Sequence, residues 1–148
     1  MADYRPDALD RKILVFLEKN ARTPFVEIAR ECNISAGAVN KRIQKLETAG
    51  VIKGFKMILN PVSIGYKVNA FVGVYLERAN MYTNVKKRLG TIPEVVELHF
   101  TTGKYGVLAK LICRDNEHLK DVLLKIHELA GVATTETFIS IEQSVYRQ

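Results

Sequence analysis

The chain has 148 residues, 47% of them hydrophobic, with a formal net charge of +6 and a pI of about 9.4. That length suits one ordinary domain or two small ones, the apolar share excludes a disordered chain, and the basic balance favours a polyanionic partner. No apolar run reaches the ~18 residues of a membrane span and the N-terminus lacks a signal peptide's apolar core, so a soluble cytoplasmic protein without a membrane partner is expected.

Asp7 is expected to cap a first helix whose Leu9, Ile13, Phe16 and Leu17 share one face. Thr23-Pro24 reads as an N-cap followed by proline at the first helical position of a second, short helix striped by Phe25, Ile28, Ala29 and Cys32. Asn33-Ile34 is a tight turn, since asparagine tolerates the left-handed conformation. Ser35 caps a third helix running to about Ala49, and Gly50 ends it. Val51 to Leu59 reads as extended, with Gly54 as the turn of a short β-wing. Asn60-Pro61 breaks that segment and marks a boundary between domains 1–60 and 61–148.

The second half has another rhythm. Strands are expected over Asn69–Glu77, Glu94–Thr102, Tyr105–Cys113 and within Val132–Tyr146, the last centred on Phe138, Ile139 and Ile141. Helices are expected over Met81–Thr91 and from the cap Asp115 to Gly131, and Thr102-Gly103-Lys104 looks like a hairpin turn. The order βαββαβ is the ferredoxin-like pattern, giving an α+β fold with a winged helix-turn-helix in front of it.

The third helix carries the functional signal. Val39, Ile43 and Leu46 recur at i, i+4, i+7 and pack inward, which turns Asn40, Lys41, Gln44, Lys45 and Thr48 outward and puts Arg42 at the edge. Its first turn, Ser35-Ala36-Gly37-Ala38, is small enough for close approach to a major groove, which is roughly 12 Å wide and admits one helix. Ser35, Gly37, Ala38 and Lys41 are expected at base edges, with Asn40, Arg42 and Lys45 reaching bases or phosphates of double-stranded DNA. Between Asn33 and Lys56 there are five basic residues and one acid, Glu47. Few phosphates are neutralised by so small a set, so two copies reading half-sites ~34 Å apart are expected. Lys41→Ala and Arg42→Ala are both expected to weaken DNA binding without affecting the fold.

Leu9-Asp10-Arg11-Lys12-Ile13-Leu14, Val26-Glu27-Ile28-Ala29, Ile34-Ser35, Val39 to Leu46, Gly50 to Phe55 and Leu59-Asn60-Pro61 together resemble the leucine-responsive regulatory protein/AsnC family, the feast/famine regulators. The resemblance continues through Gly65, Thr102-Gly103-Lys104-Tyr105-Gly106, Gly131-Val132 and Thr135-Glu136-Thr137. It implies a transcriptional regulator that dimerises through the sheets of its second domain and assembles further to an octamer. It also implies an amino-acid or other small effector held by Thr101, Thr102, Gly103, Lys104, Tyr105 and Gly106, with Thr134, Thr135 and Thr137 nearby. The family's turn places an aspartate where this chain has Gly106, and a glycine cannot pair a buried ammonium. Either another carboxylate substitutes, with Glu97 and Glu136 as the candidates, or the effector is not a standard amino acid, or no effector binds.

No catalytic triad, phosphate loop or metal-ligand spacing is present, and His118 and His127 lie nine apart on opposite sides of one helix. The chain is therefore expected not to be an enzyme and to need no cofactor or metal. The alternatives are a sirohaem-decarboxylase-like enzyme, which resembles the same two-domain architecture, and an architectural DNA-coating protein. Cys32 and Cys113, outside any CxxC pair, are expected as buried free thiols.

Overall fold

The computed structural model describes residues 4–145. Among them the chain runs α1 (Ala8–Lys19), α2 (Phe25–Cys32), α3 (Ala36–Thr48), β1 (Val68–Leu76), α4 (Tyr82–Leu89), β2 (Val95–Phe100), β3 (Val107–Cys113), α5 (Asn116–His127) and β4 (Val132–Ile139). It divides into two compact units between Ile58 and Leu59.

In the first unit, α1 opens with a reciprocal capping box. The Asp10 amide donates to the Asp7 carboxylate at 2.7 Å, and the Asp7 amide donates to the Asp10 carboxylate at 3.1 Å. Helix α2 starts one residue later than expected. Pro24 is its N-cap, with ψ 135°, and its carbonyl accepts from the Glu27 and Ile28 amides, while the Thr23 hydroxyl turns back to the Asn20 carbonyl. Asn33 takes the left-handed conformation (φ 52°, ψ 45°) that closes α2, and Ser35 caps α3 by accepting from the Ala38 amide at 3.1 Å. Gly50, at φ 72°, ends the helix-turn-helix. Ile13, Leu17, Ile28, Ala29, Val39, Ile43 and Leu46 form its core. Cys32 is only partly buried at the rim of that core.

The expected β-wing is corrected by the structure. After a bend at Val51-Ile52, residues 53–60 carry no strand, and Phe55, Met57, Ile58 and Leu59 are exposed. A strand needs a neighbour for its amides and carbonyls, and none of the described residues supplies one here.

The second unit is a four-stranded sheet in the order β2-β3-β1-β4, with every adjacent pair antiparallel. Helices α4 and α5 cover one face. Ala70, Val72 and Val74 of β1, together with Val107, Leu111 and Cys113 of β3, pack there against Val85 and Leu89 of α4 and Leu119, Val122 and Ile126 of α5. Side chains alternate along a strand, so Phe71, Gly73, Tyr75, Leu108, Lys110, Glu136 and Phe138 belong to the opposite face. Asp115 caps α5 through the His118 amide at 2.8 Å. β4 stops at Ile139, leaving Ile141 outside the strand and fully exposed, and Tyr146, in the range expected for this strand, lies outside the described residues.

Candidate functional site

The outward face of α3 is built by the inward one. Because Val39, Ile43 and Leu46 are buried, helical geometry brings Ser35, Gly37, Asn40, Lys41, Gln44, Lys45 and Thr48 to the surface, where all are exposed, with Ala38 half-buried beside them. A methyl group at Gly37 would meet only the Ser35 hydroxyl, at 3.9 Å. The first turn is therefore open, at the positive end of the helix dipole. The Lys45 ammonium lies 4.4 Å from the centre of the Tyr4 ring.

Arg42, expected at the edge of the helix and within reach of DNA, is engaged within the fold. Its Nη1 lies 2.7 Å from Asp7 Oδ2 and 2.7 Å from Asp10 Oδ1, and Asp10 is completely buried. The Tyr4 hydroxyl donates to the other Asp10 oxygen. Burial pushes the Asp10 carboxyl up, but hydrogen bonds from Tyr4, Arg42 and the Asp7 amide outweigh it and hold the group below its ordinary value. The same contacts keep the Arg42 guanidinium charged. This cluster ties the middle of α3 to the first turn of α1. Sequence reading missed it, although Asp10 stands at i of the i, i+3, i+7 stripe completed by Ile13 and Leu17, and a charge on a buried stripe demands a partner.

In the second unit the turn between β2 and β3 is held at both ends. The Thr101 amide donates to the Gly106 carbonyl at 3.4 Å, the Thr101 hydroxyl to the Tyr105 carbonyl, and the Gly106 amide to the Val74 carbonyl at 3.0 Å. Thr102, Gly103 and Lys104 are exposed at its tip. Gly106 is more than a missing aspartate. A Cβ there would fall 2.7 Å from Leu76 Cδ1, so Leu76 occupies the space a side chain would need. Gly73 lies under the Tyr105 ring, which would be 2.4 Å from a Cβ on that residue.

The three candidate threonines of β4 separate by strand alternation. Thr134 pairs with Tyr75 and shares the open face with Glu136. Thr135 and Thr137 pair with the buried Val74 and Val72 and point to the helix side, where the Thr135 hydroxyl meets His127 Nε2 at 2.5 Å. Of the three threonines expected near the turn, only Thr134 therefore shares the open face with Glu136. Of the two substitute carboxylates, Glu97 is engaged by Lys110 at 2.8 Å on the β2–β3 ladder. Glu136 meets the turn: its Oε2 accepts from Lys104 Nζ at 2.7 Å, from the Tyr105 hydroxyl at 2.8 Å and from the Tyr75 hydroxyl at 3.4 Å. Those donors hold the Glu136 carboxyl below its usual range, Lys104 foremost, and Glu136 in turn raises Lys104 and Tyr105.

A mostly apolar cleft of about 270 Å³ also opens on this unit, walled by Leu59, Pro61, Ile64, Tyr66, Val96 and Ile112. Glu94 lines it too, and its Oε1 meets His118 Nε2 at 2.9 Å. No residue expected for effector binding lines this cleft.

Comparison with known proteins matches residues 6–53 to a winged helix-turn-helix DNA-binding model and residues 69–148 to the Lrp/AsnC ligand binding domain. The chain is 39% identical to the regulatory protein AsnC of Haemophilus influenzae over 142 residues, covering 95% of each. Its structure is similar to that of Escherichia coli AsnC, with a TM-score of 0.93 at 35% identity and 98% coverage of both chains. It is also similar to the feast or famine regulatory protein of M. tuberculosis complexed with L-methionine, with a TM-score of 0.90 at 25% identity and 96% coverage of both. A helix-turn-helix followed by a ferredoxin-like unit, matched along nearly its whole length, places the chain in the Lrp/AsnC family of transcriptional regulators.

Proposed function

We propose that the chain regulates transcription by laying the first half of α3 in the major groove of double-stranded DNA. Ser35, Gly37, Ala38 and Lys41 face base edges, and Asn40 and Lys45 reach bases or phosphates. The observation that carries this reading is the continuous exposed strip from Ser35 to Thr48, small and uncharged in its first turn and basic behind it. Arg42 serves the strip from beneath. Gel-shift titration of the DNA upstream of the protein's own gene tests it: Lys41→Ala is expected to weaken binding with the melting temperature unchanged, and equal affinity would remove α3 from the interface.

Two copies pair through the open sheet face in this proposal. Phe71 and Phe138 stand opposite each other on β1 and β4, and both are exposed, as is Val96 of β2. Apolar side chains gathered on an uncovered sheet face favour association with a second such face. Further assembly to an octamer extends the same reading.

The effector is an amino acid, received by Thr101, Thr102, Gly103, Lys104, Tyr105 and Gly106 of the turn and by Thr134 beside it. The L-methionine complex of the M. tuberculosis relative supports this class of ligand. The protein acts as a cytoplasmic regulator and not as an enzyme. Its relatives are named for regulation, and among the described residues no helix is long and apolar enough to cross a membrane.

A further inference from the structure

Lys104 folds its ammonium back from the β2–β3 turn into a box of two tyrosine rings and a carboxylate. Nζ lies 2.7 Å from Glu136 Oε2, 5.3 Å from the centre of the Tyr105 ring and 5.8 Å from that of Tyr75. The two rings meet edge to face at 5.2 Å, and Phe138 stands edge-on to Tyr105 at 6.5 Å. The absence of a side chain at Gly73 is what lets the Tyr105 ring lie against β1. A carboxylate walled by aromatic rings is the chemistry that recognises a primary ammonium, by charge-assisted hydrogen bonding and by attraction to the ring faces.

The box and its occupant are held differently. Tyr75 and Glu136 stand on adjacent strands with fixed register, and Tyr105 is wedged over Gly73. Lys104 reaches in on a flexible four-carbon stem from the exposed tip of the turn, and its side chain is 62% exposed. The walls can therefore persist when the lysine leaves.

We propose that this box is the receptor for the ammonium group of an amino-acid effector, and that Lys104 is an internal stand-in which the effector displaces. The inference rests on the amino-acid reading above and deepens it. Glu136 supplies the negative charge that Gly106 does not. An exposed ion pair of this kind favours the closed form by about fivefold at most, so self-occupancy weakens effector binding by no more than that factor.

The test is isothermal titration of the full-length protein with each of the twenty L-amino acids, repeated on Lys104→Met and Glu136→Gln. Both side chains are partly exposed in the single chain, and a thermal melt and light scattering of each check the fold and the pairing of copies through the same sheet face. The expected result is that the amino acid binding the wild type binds Lys104→Met about fivefold more tightly. It binds Glu136→Gln at least tenfold more weakly, and its deaminated counterpart binds none of the three proteins. If an amino acid binds but both variants match the wild type within twofold, or if Lys104→Met weakens binding, the box is overturned while the amino-acid reading stands. If none of the twenty binds either the wild type or Lys104→Met, both are overturned.

Discussion

Removing Arg42 separates two ways of weakening DNA binding. An arginine that contacts a phosphate contributes to affinity by releasing counterions, and its loss lowers the slope of log K against log salt by ~0.9 for each contact. An arginine that positions the helix leaves that slope alone. In this chain one guanidinium nitrogen lies 2.7 Å from both Asp7 and Asp10, and the Asp10 carboxylate is wholly buried. Arg42→Ala leaves that carboxylate with only the Tyr4 hydroxyl and the Asp7 amide as donors. The loss of a charged hydrogen bond to a buried acceptor costs about 2 kcal/mol, less than the 3–5 kcal/mol of a fully buried pair because Arg42 is partly exposed. The assay is urea unfolding together with fluorescence anisotropy on operator DNA from 50 to 300 mM salt. Arg42→Ala is expected to lose about 2 kcal/mol of stability and to bind less tightly at an unchanged slope. Lys45→Ala is expected to lose no more than about 1 kcal/mol, from its contact with the Tyr4 ring, and to lose ~0.9 in slope for each helix bound. A fully stable Arg42→Ala whose slope falls as far as that of Lys45→Ala would refute the assignment of Arg42 to the fold.

Other outcomes follow from the same contacts. The Asp10 and Asp7 carboxyls are held below their unfolded values, so their contribution to stability is present above about pH 4 and lost as pH falls through the folded values. Urea midpoints between pH 7 and 3 should fall on the acid side, and Arg42→Met should flatten that limb; parallel profiles would show that the cluster does not govern it. Gly106→Asp is expected to destabilise by about 1–3 kcal/mol through its clash with Leu76, and Leu76→Ala in the same chain should recover much of the loss. Phe71→Lys should convert the assembly to monomers by light scattering while preserving the circular dichroism spectrum, and an unchanged mass would place the subunit contact elsewhere.

Much of the fold could be read from the sequence because local signals agreed with one another. Asp7, Ser35 and Asp115 were recognisable as caps, Asn33 and Gly50 as left-handed stops, and the i, i+4, i+7 stripe of α3 as its buried side. What the sequence concealed depends on partners distant along the chain. The wing failed because a largely apolar run from Val51 to Leu59 with a glycine near its middle says nothing about whether a neighbouring strand exists. Arg42 looked like one more base on a basic helix because its two carboxylates lie 32 and 35 positions away. The threonine cluster of β4 looked like one site until the register placed Thr134 on one face and Thr135 and Thr137 on the other. Glu136 was separable from Glu97 only once the sheet order brought β4 beside β1, within reach of Tyr75 and of the turn.

The most direct test of the α3 interface is Gly37→Glu. Gly37 is exposed, has an ordinary negative φ and has room for a side chain. It lies in the first helical turn, where a carboxylate stabilises the helix end and any residue other than glycine or proline improves helix propensity. The expected result is a protein melting at or above the wild-type temperature that no longer shifts operator DNA, because the new charge faces the groove. A variant equally stable and equally tight on DNA would contradict the placement of this helix in the major groove.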